Sequence, residues 1–444
     1  MSSHIARALS TTDALSDVFS DASAIQAMLE VETALARAQA RLGVIPTAAA
    51  DAIVRAAVAS DFDAAALARE ARASGTVAVP LVNALTARVR ALDPEAAGFV
   101  HWGATSQDIV DTALVRLVDR ACTILSEDHE HLSAALRALS ERHAGDVMLA
   151  RTLLQPAPPI TFGLKAAGWF AAEKRSWARV AERRRDTLVL QFGGASGTLA
   201  ALGDSGLAVA KEVARELGLV CPDAPWHAWR DRLAAFVAAC GIYTGVLGKI
   251  ARDVTLLMQF EVAEASEPGG TSSTMPHKRN PAGCATVLAA ASRLPGLAAT
   301  MLAGLVQEHE RSVGAWHAEW PTVADAVQAT GAALSAMRGV IETLAVDPSR
   351  MQANLEATHG AVFAERIMMR AGRTLGRDRA QSLVRDALAR AAASGQTLRD
   401  ALRASPELAR VLSDADLQSV DDARGYLGVA ETFRRRLLGV DPPE

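Results

Sequence analysis

The residues best suited to chemistry lie in one segment, from Ser266 to Pro281, where the helical pattern of the chain stops. Gly269-Gly270 opens this segment, and hydroxyl residues, two prolines and two cations follow. Backbone N–H groups in such a loop can stabilise an oxyanion, and Lys278 with Asn280 can hold a carboxylate. Ser272 would then be an acid or base carried on a mobile loop. From composition alone, an ordinary polar surface loop is an equally good interpretation, because serine is common in turns.

The ten residues from Ser272 to Pro281, SSTMPHKRNP, resemble the signature SSxMPxKxNP of the fumarase/aspartase superfamily at every fixed position. In that superfamily the first serine abstracts a proton beside a carboxylate, and the lysine and asparagine bind substrate. The resemblance therefore implies that Ser272 is catalytic and that Lys278 and Asn280 bind substrate. Thr271 stands where glycine is common in the superfamily, which bears on how freely the loop moves.

A second stretch, HWGATSQD from His101 to Asp108, resembles the motif HxGxTSxD of adenylosuccinate-lyase-type enzymes. The resemblance implies that His101, Thr105 and Ser106 contact substrate carboxylates. From the residues alone, the favoured interpretation of the two hydroxyl residues is an N-cap pair for the helix that follows.

A third stretch, RTLLQPA from Arg151, resembles the superfamily segment RTHxQxA, and it implies that Thr152 and Gln155 bind substrate. Leu153 occupies the place of a histidine that is associated with general-acid chemistry in adenylosuccinate-lyase-like enzymes. An amine leaving group requires such an acid, whereas a carboxylate, with a pKa of about 4, does not. Leu153 therefore favours formation or opening of a lactone.

Within the superfamily, the chain is most similar to the bacterial branch that interconverts 3-carboxy-cis,cis-muconate and 4-carboxymuconolactone in the degradation of protocatechuate. Trp226-His227 with Arg230-Asp231, and the run from Gln307 to Trp320, carry this likeness together with the third stretch. The resemblance implies an intramolecular lyase that acts on a small polycarboxylate and uses no cofactor and no metal. Arg311 and His227 can each be interpreted as site residues, or as members of an ion pair or helix cap.

Two alternatives stay open. An adenylosuccinate- or argininosuccinate-type lyase shares the loop signature, and Leu153 counts against it. A non-catalytic helical scaffold derived from such an enzyme is the alternative of another class, and the presence of Ser272, Lys278 and Asn280 counts against that.

Long helices must position these stretches. Apolar residues recur at steps of three and four with no sustained alternation, and aromatic residues make up only 4% of the chain, which predicts an all-α fold. The clearest seam runs through residues 233, 237, 240, 244, 247, 251, 254 and 258. Further long helices are predicted over 111–144 and over 160–190, the latter starting beside Pro158-Pro159. Together they predict a long central helical bundle.

The expected architecture has three mainly helical domains: 1–100, an N-terminal domain; 101–345, the central bundle and oligomerisation domain; and 346–444, a C-terminal domain. Helices rich in small residues on several faces favour packing against other subunits. The resemblance implies a homotetramer whose active sites gather residues from three subunits.

Composition excludes several classes of protein. A net charge of −4 with interspersed acids and bases argues against a nucleic-acid or membrane partner. The four cysteines lack the spacing of a disulfide framework or zinc site. The N-terminus carries no basic region followed by an apolar block, so a cytoplasmic protein is expected. The uncharged run over 233–248 is too short to span a membrane and predicts a buried helix.

Two further patterns are interpreted as structural. His129 with His131, and Glu308 with Glu310, are spaced two residues apart and point away from each other on a helix, so neither predicts a metal site. The glycines over 193–197 lack the GxGxxG spacing of dinucleotide sites and predict a turn between helices.

Overall fold

The computed structural model describes residues 4–270, 274–275 and 277–441, and helices make up most of this part of the chain, which confirms the all-α fold class. The helices before the first predicted motif are α1 His4–Arg7, α2 Asp13–Val18, α3 Asp21–Arg41, α4 Thr47–Ala56, α5 Ala64–Ser74 and α6 Ala78–Leu92. The central helices are α7 Ser106–Arg142, α8 Phe162–Thr187, α9 Gly206–Leu217, α10 Asp231–Leu257, α11 Ala282–Ala303 and α12 Ala315–Thr343. The last are α13 Pro348–Glu356, α14 Ala364–Leu375, α15 Arg377–Ser394, α16 Leu398–Arg403, α17 Pro406–Val411, α18 Asp414–Gln418 and α19 Ala430–Leu437.

The predicted seam is confirmed in α10. Seven of its eight positions are fully buried, namely Leu233, Val237, Cys240, Thr244, Leu247, Ala251 and Val254. Steps of three and four place these side chains on one stripe of the helix, which therefore packs along its whole length. By length and composition α10 and α11 are apolar enough to cross a membrane, but 61% of the apolar window of α10 is buried inside the protein, as in the core helix of a soluble protein.

Two short antiparallel pairs of strands accompany the helices. Strands β1 Val147–Thr152 and β2 Gln155–Thr161 form a hairpin, and β3 Ala265–Ser266 pairs with β4 Ala345–Val346. The hairpin differs from the sequence expectation, because Pro158-Pro159 lie inside β2 and α8 begins only at Phe162. A two-stranded hairpin leaves one side of each strand unpaired, so β2 can hold prolines that a central strand would exclude.

Two compact units emerge from the contacts within the chain. Unit 1 comprises residues 1–130, 175–248 and 285–336, and unit 2 comprises residues 131–174, 249–284 and 337–444. Unit 1 is built on an apolar core that includes Leu29, Leu81 and Leu85, and unit 2 on one that includes Ile367 and Val384. Each unit is assembled from three separate segments, so the three consecutive domains expected from the sequence stay a prediction.

Candidate active site

His101 lies in unit 1 on a turn in which it and Gly103 both have positive φ, 58° and 75°. Its Nδ1 lies 2.6 Å from Oε1 of Glu32, a buried carboxylate on α3. The carbonyl oxygen of Trp102 accepts a hydrogen bond of 2.7 Å from Nε2 of Gln39, also on α3. Burial lowers the pKa of His101, but Glu32, with a smaller contribution from Asp108, outweighs burial and raises it above its ordinary value.

Thr105 and Ser106 stand at the start of α7, and Ser106 is its first residue. Nη1 of Arg311 donates a hydrogen bond of 3.1 Å to the hydroxyl oxygen of Thr105, so Arg311 does reach a predicted site residue. Its Nη2 also donates to the carbonyl oxygens of Ala195, at 3.2 Å, and Gly194, at 3.4 Å. One guanidinium therefore joins the turn over 193–197 to Thr105 of the motif.

Asp108 holds the turn over 193–197 and the start of α7 together through hydrogen bonds. Its carboxylate is fully buried and accepts hydrogen bonds from the backbone N–H groups of Gly193, Gly194 and Thr105, at 2.9 to 3.1 Å. Oδ1 also lies 2.7 Å from Nε2 of His227. His227 thus bonds to Asp108 rather than forming a helix cap. The glycines over 193–197 form a turn, as predicted, and that turn lines the group around Thr105.

A buried ion network within unit 1 joins α7, α12 and the residue directly before α10. The guanidinium of Arg230 bonds to both oxygens of Asp111 on α7 and both oxygens of Glu319 on α12, at 2.6 to 3.1 Å, and all three residues are buried. Burial lowers the pKa of Arg230, but the two carboxylates outweigh burial and raise it above its ordinary value. Burial raises the pKa of Glu319, and Arg230 opposes that shift only in part, because one cation serves two acids.

Thr152 and Gln155 lie in unit 2, where they pair across the end of the β1–β2 hairpin and are both exposed. Between them, Leu153 and Leu154 form the turn with φ values of 50° and 64°, and they are 96% and 75% exposed. A two-residue hairpin turn requires such φ values, which leucine adopts only at a cost. Strain of this kind, on side chains that are mostly exposed in the described part of the chain, is typical of a segment held for function.

Arg151 anchors the same hairpin. Its guanidinium donates to both oxygens of the buried Glu264, at 2.7 and 2.9 Å. Nδ2 of Asn354 donates to the same carboxylate at 2.8 Å. The hairpin is therefore tied through its last strand residues to the segment that leads into the signature loop.

The signature loop also belongs to unit 2. Ser272, the predicted catalytic residue, lies outside the described residues, whereas Lys278 is exposed and Asn280 is half-buried. The backbone N–H of Asn280 donates to the carbonyl oxygen of Gly270 at 2.8 Å. Just outside that bond, the buried carboxylate of Glu267 accepts from the N–H groups of Gly283 and Cys284, at 2.8 and 3.2 Å. These bonds close the base of the loop.

The structure thus places the predicted residues in two groups. His101, Thr105 and Ser106 lie together in unit 1, and a group in unit 2 comprises Thr152, Gln155, Lys278 and Asn280. Their roles as substrate ligands stay predictions.

Sequence profiles of known families match most of the chain. The profile described as lyase matches residues 7–296, and the profile described as adenylosuccinate lyase C-terminus matches residues 360–437. The chain belongs to this lyase family. The resemblance to the fumarase/aspartase superfamily is thereby confirmed.

Individual relatives of this lyase align over nearly its whole length. A 3-carboxy-cis,cis-muconate cycloisomerase from Bradyrhizobium diazoefficiens is 48% identical, with 94% of each chain covered. The crystal structure of the 3-carboxy-cis,cis-muconate lactonizing enzyme from Pseudomonas putida superposes with a TM-score of 0.93, 42% identity and 98% of each chain covered. A nitrosuccinate lyase from Streptomyces davaonensis is 41% identical over 95% of this chain and 91% of its own.

The sequence does not reveal three features that organise the lyase's predicted site. They are the buried acids Glu32 and Glu267, and the several hydrogen bonds that Asp108 accepts. Glu32 had a detectable signal, because it is an acid among the mostly apolar residues that α3 buries, and it is 1% exposed. Glu267 gave none, because its partners are backbone N–H groups that any residue type can offer.

The base of the signature loop allows a sharp test in the lyase. Gly270 has a φ of 71°, and a Cβ there would overlap the carbonyl oxygen of Asn280. We therefore expect Gly270→Ala to lower kcat/KM by about 100-fold, because a misplacement of about 1 Å is enough to disrupt catalysis. Gly269→Ala is the matched control, since its Cβ would meet nothing closer than Glu267 at 3.9 Å. Steady-state kinetics would measure kcat/KM of both variants. Equal values of kcat/KM would show that the contact between Gly270 and Asn280 does not matter for catalysis.

Proposed function

We propose that this lyase interconverts 3-carboxy-cis,cis-muconate and 4-carboxymuconolactone, as an intramolecular lyase in the degradation of protocatechuate. The observation that carries the proposal is the full-length likeness to proteins named for this reaction, at 42 to 48% identity. Leu153 adds chemical support, because lactone formation needs no strong acid at that position.

The proposed reaction adds one carboxylate oxygen of the substrate to a carbon of the conjugated diene. The electron pair of the broken π bond moves to the neighbouring carbon, where an adjacent carboxylate delocalises it. That carbon then takes a proton, for which Ser272 is the proposed carrier. In the reverse direction Ser272 removes the same proton, and the carboxylate leaves as an anion. No oxidant, metal or second substrate enters the balance.

The charge that develops beside the carbanion is the main barrier, so hydrogen-bond donors and cations must converge on it. We assign substrate binding to His101, Thr105, Ser106, Thr152, Gln155, Lys278 and Asn280. The bond from Arg311 to Thr105 adds a cation to the first group. A substrate with three carboxylates is suited to a site that offers cations from several segments.

A serine hydroxyl is a poor acid and a poor base near neutral pH. Closure of the signature loop must therefore surround its oxygen with donors and exclude water. The hydrogen bonds of Glu267, Gly270 and Asn280 hold the two ends of the signature loop together, which supports this role.

We further propose a cytoplasmic homotetramer whose active sites combine residues of three subunits. Two features support oligomerisation. Only 22% of the apolar window of α11 is buried within the described chain, and Leu153 and Leu154 project from the hairpin tip. Apolar surface of this extent marks an interaction site. Light scattering should give about four times the 46.6 kDa of one chain, and a monomer would contradict the proposal.

A second candidate is elimination of nitrite from nitrosuccinate, which the 41% identity to a protein of that name supports. Nitrite, like a carboxylate, is a weak base and leaves without a general acid, so Leu153 fits this reaction as well. Adenylosuccinate-type elimination fits less well, because its nitrogen leaving group needs a proton. Purified protein should remove the ultraviolet absorbance of the conjugated muconate, and an unchanged spectrum would reject the first candidate.

A further inference from the structure

Glu32 is placed unusually for an acid. It lies in the middle of α3 and is 1% exposed, and the residues one helical turn away, Met28, Leu29, Leu35 and Ala36, are buried and apolar. One oxygen, Oε1, lies 2.6 Å from Nδ1 of His101, and the other, Oε2, has no hydrogen-bond partner in the described part of the chain. A buried carboxylate is costly unless a cation compensates it. The only group within bonding distance that can supply a positive charge among the described residues is the imidazole of His101.

The backbone around His101 reinforces this pairing. A positive φ at a histidine is uncommon and costs energy, and here it is followed by a second positive φ at Gly103. The bond from Gln39 to the carbonyl oxygen of Trp102 holds the turn against the same helix. The strained turn therefore delivers the imidazole to Glu32. Nδ1 is used by that contact, and no described residue bonds to Nε2.

We propose that Glu32 is a positioning residue that keeps His101 as an imidazolium, with its Nε2–H turned to a carboxylate of the substrate. His101 is then a fixed cation of the site and not a general base. This inference rests on the proposed function only in treating His101 as a substrate ligand.

The charges around His101 agree with this role. Glu32 faces it from α3, Asp108 lies nearby on α7, and both favour the charged imidazole, while burial opposes it. Asp108 is itself engaged by three backbone N–H groups and His227, so Glu32 is the stronger influence. Arg311 is bonded to Thr105 of the same motif and to the turn over 193–197.

The sign of the pH dependence follows from the raised pKa. The binding-competent imidazolium is present below the pKa of His101 and is lost as pH rises through it. Glu32→Gln removes the charge and keeps the shape, so burial then lowers the pKa. The alkaline limb of kcat/KM, which reports groups of the free enzyme, should move to lower pH. On the alkaline side, kcat/KM should fall by about tenfold or more, mainly through KM, because a charge-assisted contact is lost.

Two further variants distinguish the loss of the charge from a disturbance of the fold. Glu32→Asp retains the carboxylate, so the alkaline limb of kcat/KM should return most of the way to its wild-type pH. Gln39→Met removes the other bond to the turn without changing any charge, so it should alter the rate and leave the limb in place. If Glu32→Gln instead lowered kcat equally at every pH and left the alkaline limb in place, as we expect for Gln39→Met, Glu32 would be merely structural and the proposal would be overturned.

A further variant keeps the test decisive if Glu32→Gln does not fold, which circular dichroism would reveal. His101→Gln removes the titrating group itself, so this alkaline limb should vanish. Persistence of the limb in His101→Gln would equally overturn the proposal. Failure of the proposed function is a distinct result, because it appears as a wild-type protein that does not turn over 3-carboxy-cis,cis-muconate.

Discussion

Replacement of Ser272 by alanine is expected to lower kcat for the muconate reaction by about 10²- to 10⁴-fold, the usual contribution of a positioned acid or base. KM should change little, because Lys278, Asn280 and the residues of the first motif still bind the substrate carboxylates. The loss arises because the carbanion beside the carboxylate no longer has a proton carrier. Initial rates followed by the absorbance of the diene would measure both constants.

Ser273→Ala is the matched control for this prediction, since it removes a hydroxyl from the adjacent position of the same loop. Its kcat should stay within about tenfold of wild type if only the first serine moves the proton. Full activity in Ser272→Ala, or a larger loss in Ser273→Ala, would remove Ser272 from the mechanism.

Arg230→Met should destabilise the protein by about 3–5 kcal/mol, the usual effect of breaking a buried ion pair from one side. The substitution leaves Asp111 and Glu319 buried without a counter-charge, although Trp316, Gln107 and Gln191 still donate to Asp111. Because burial already raises the pKa of Glu319, its protonated form is favoured in the folded variant. The deficit should therefore shrink as pH falls and grow as pH rises. Urea unfolding at several pH values would measure it.

An exposed arginine provides the comparison. Arg215 is 62% exposed and pairs with Glu212 on the same helix, so Arg215→Met should change the free energy of unfolding by less than about 1 kcal/mol. The triple variant Asp111→Asn, Arg230→Met, Glu319→Leu removes all three charges and should regain part of the lost stability. Equal effects of Arg215→Met and Arg230→Met would contradict the assigned importance of the buried network.

The sequence predicts the long helices well because their spacing is a direct consequence of helix geometry. A stripe at steps of three and four must face one way, and α10 buries that stripe from Leu233 to Val254. The β1–β2 hairpin is not predictable on the same grounds. Its prolines argue against a strand, and leucines occupy a turn that normally takes glycine or asparagine.

The site is predictable from the sequence only where motifs carry it. Composition and spacing locate the three stretches, but the bonds that hold them join residues far apart in the chain. Glu32 lies 69 residues from His101, and Arg311 lies 206 residues from Thr105. Nothing local in the sequence specifies such pairs, and the sequence therefore leaves Arg311 open between a site residue and a member of an ion pair or helix cap.

The most direct test of the proposed function compares three substrates with one purified protein: 3-carboxy-cis,cis-muconate, nitrosuccinate and adenylosuccinate. The cycloisomerase assignment predicts that kcat/KM is highest for the muconate by several orders of magnitude, with a lactone as the product identified by mass spectrometry and NMR. Release of nitrite from nitrosuccinate, or of fumarate from adenylosuccinate, with no lactone formed from the muconate, would contradict it.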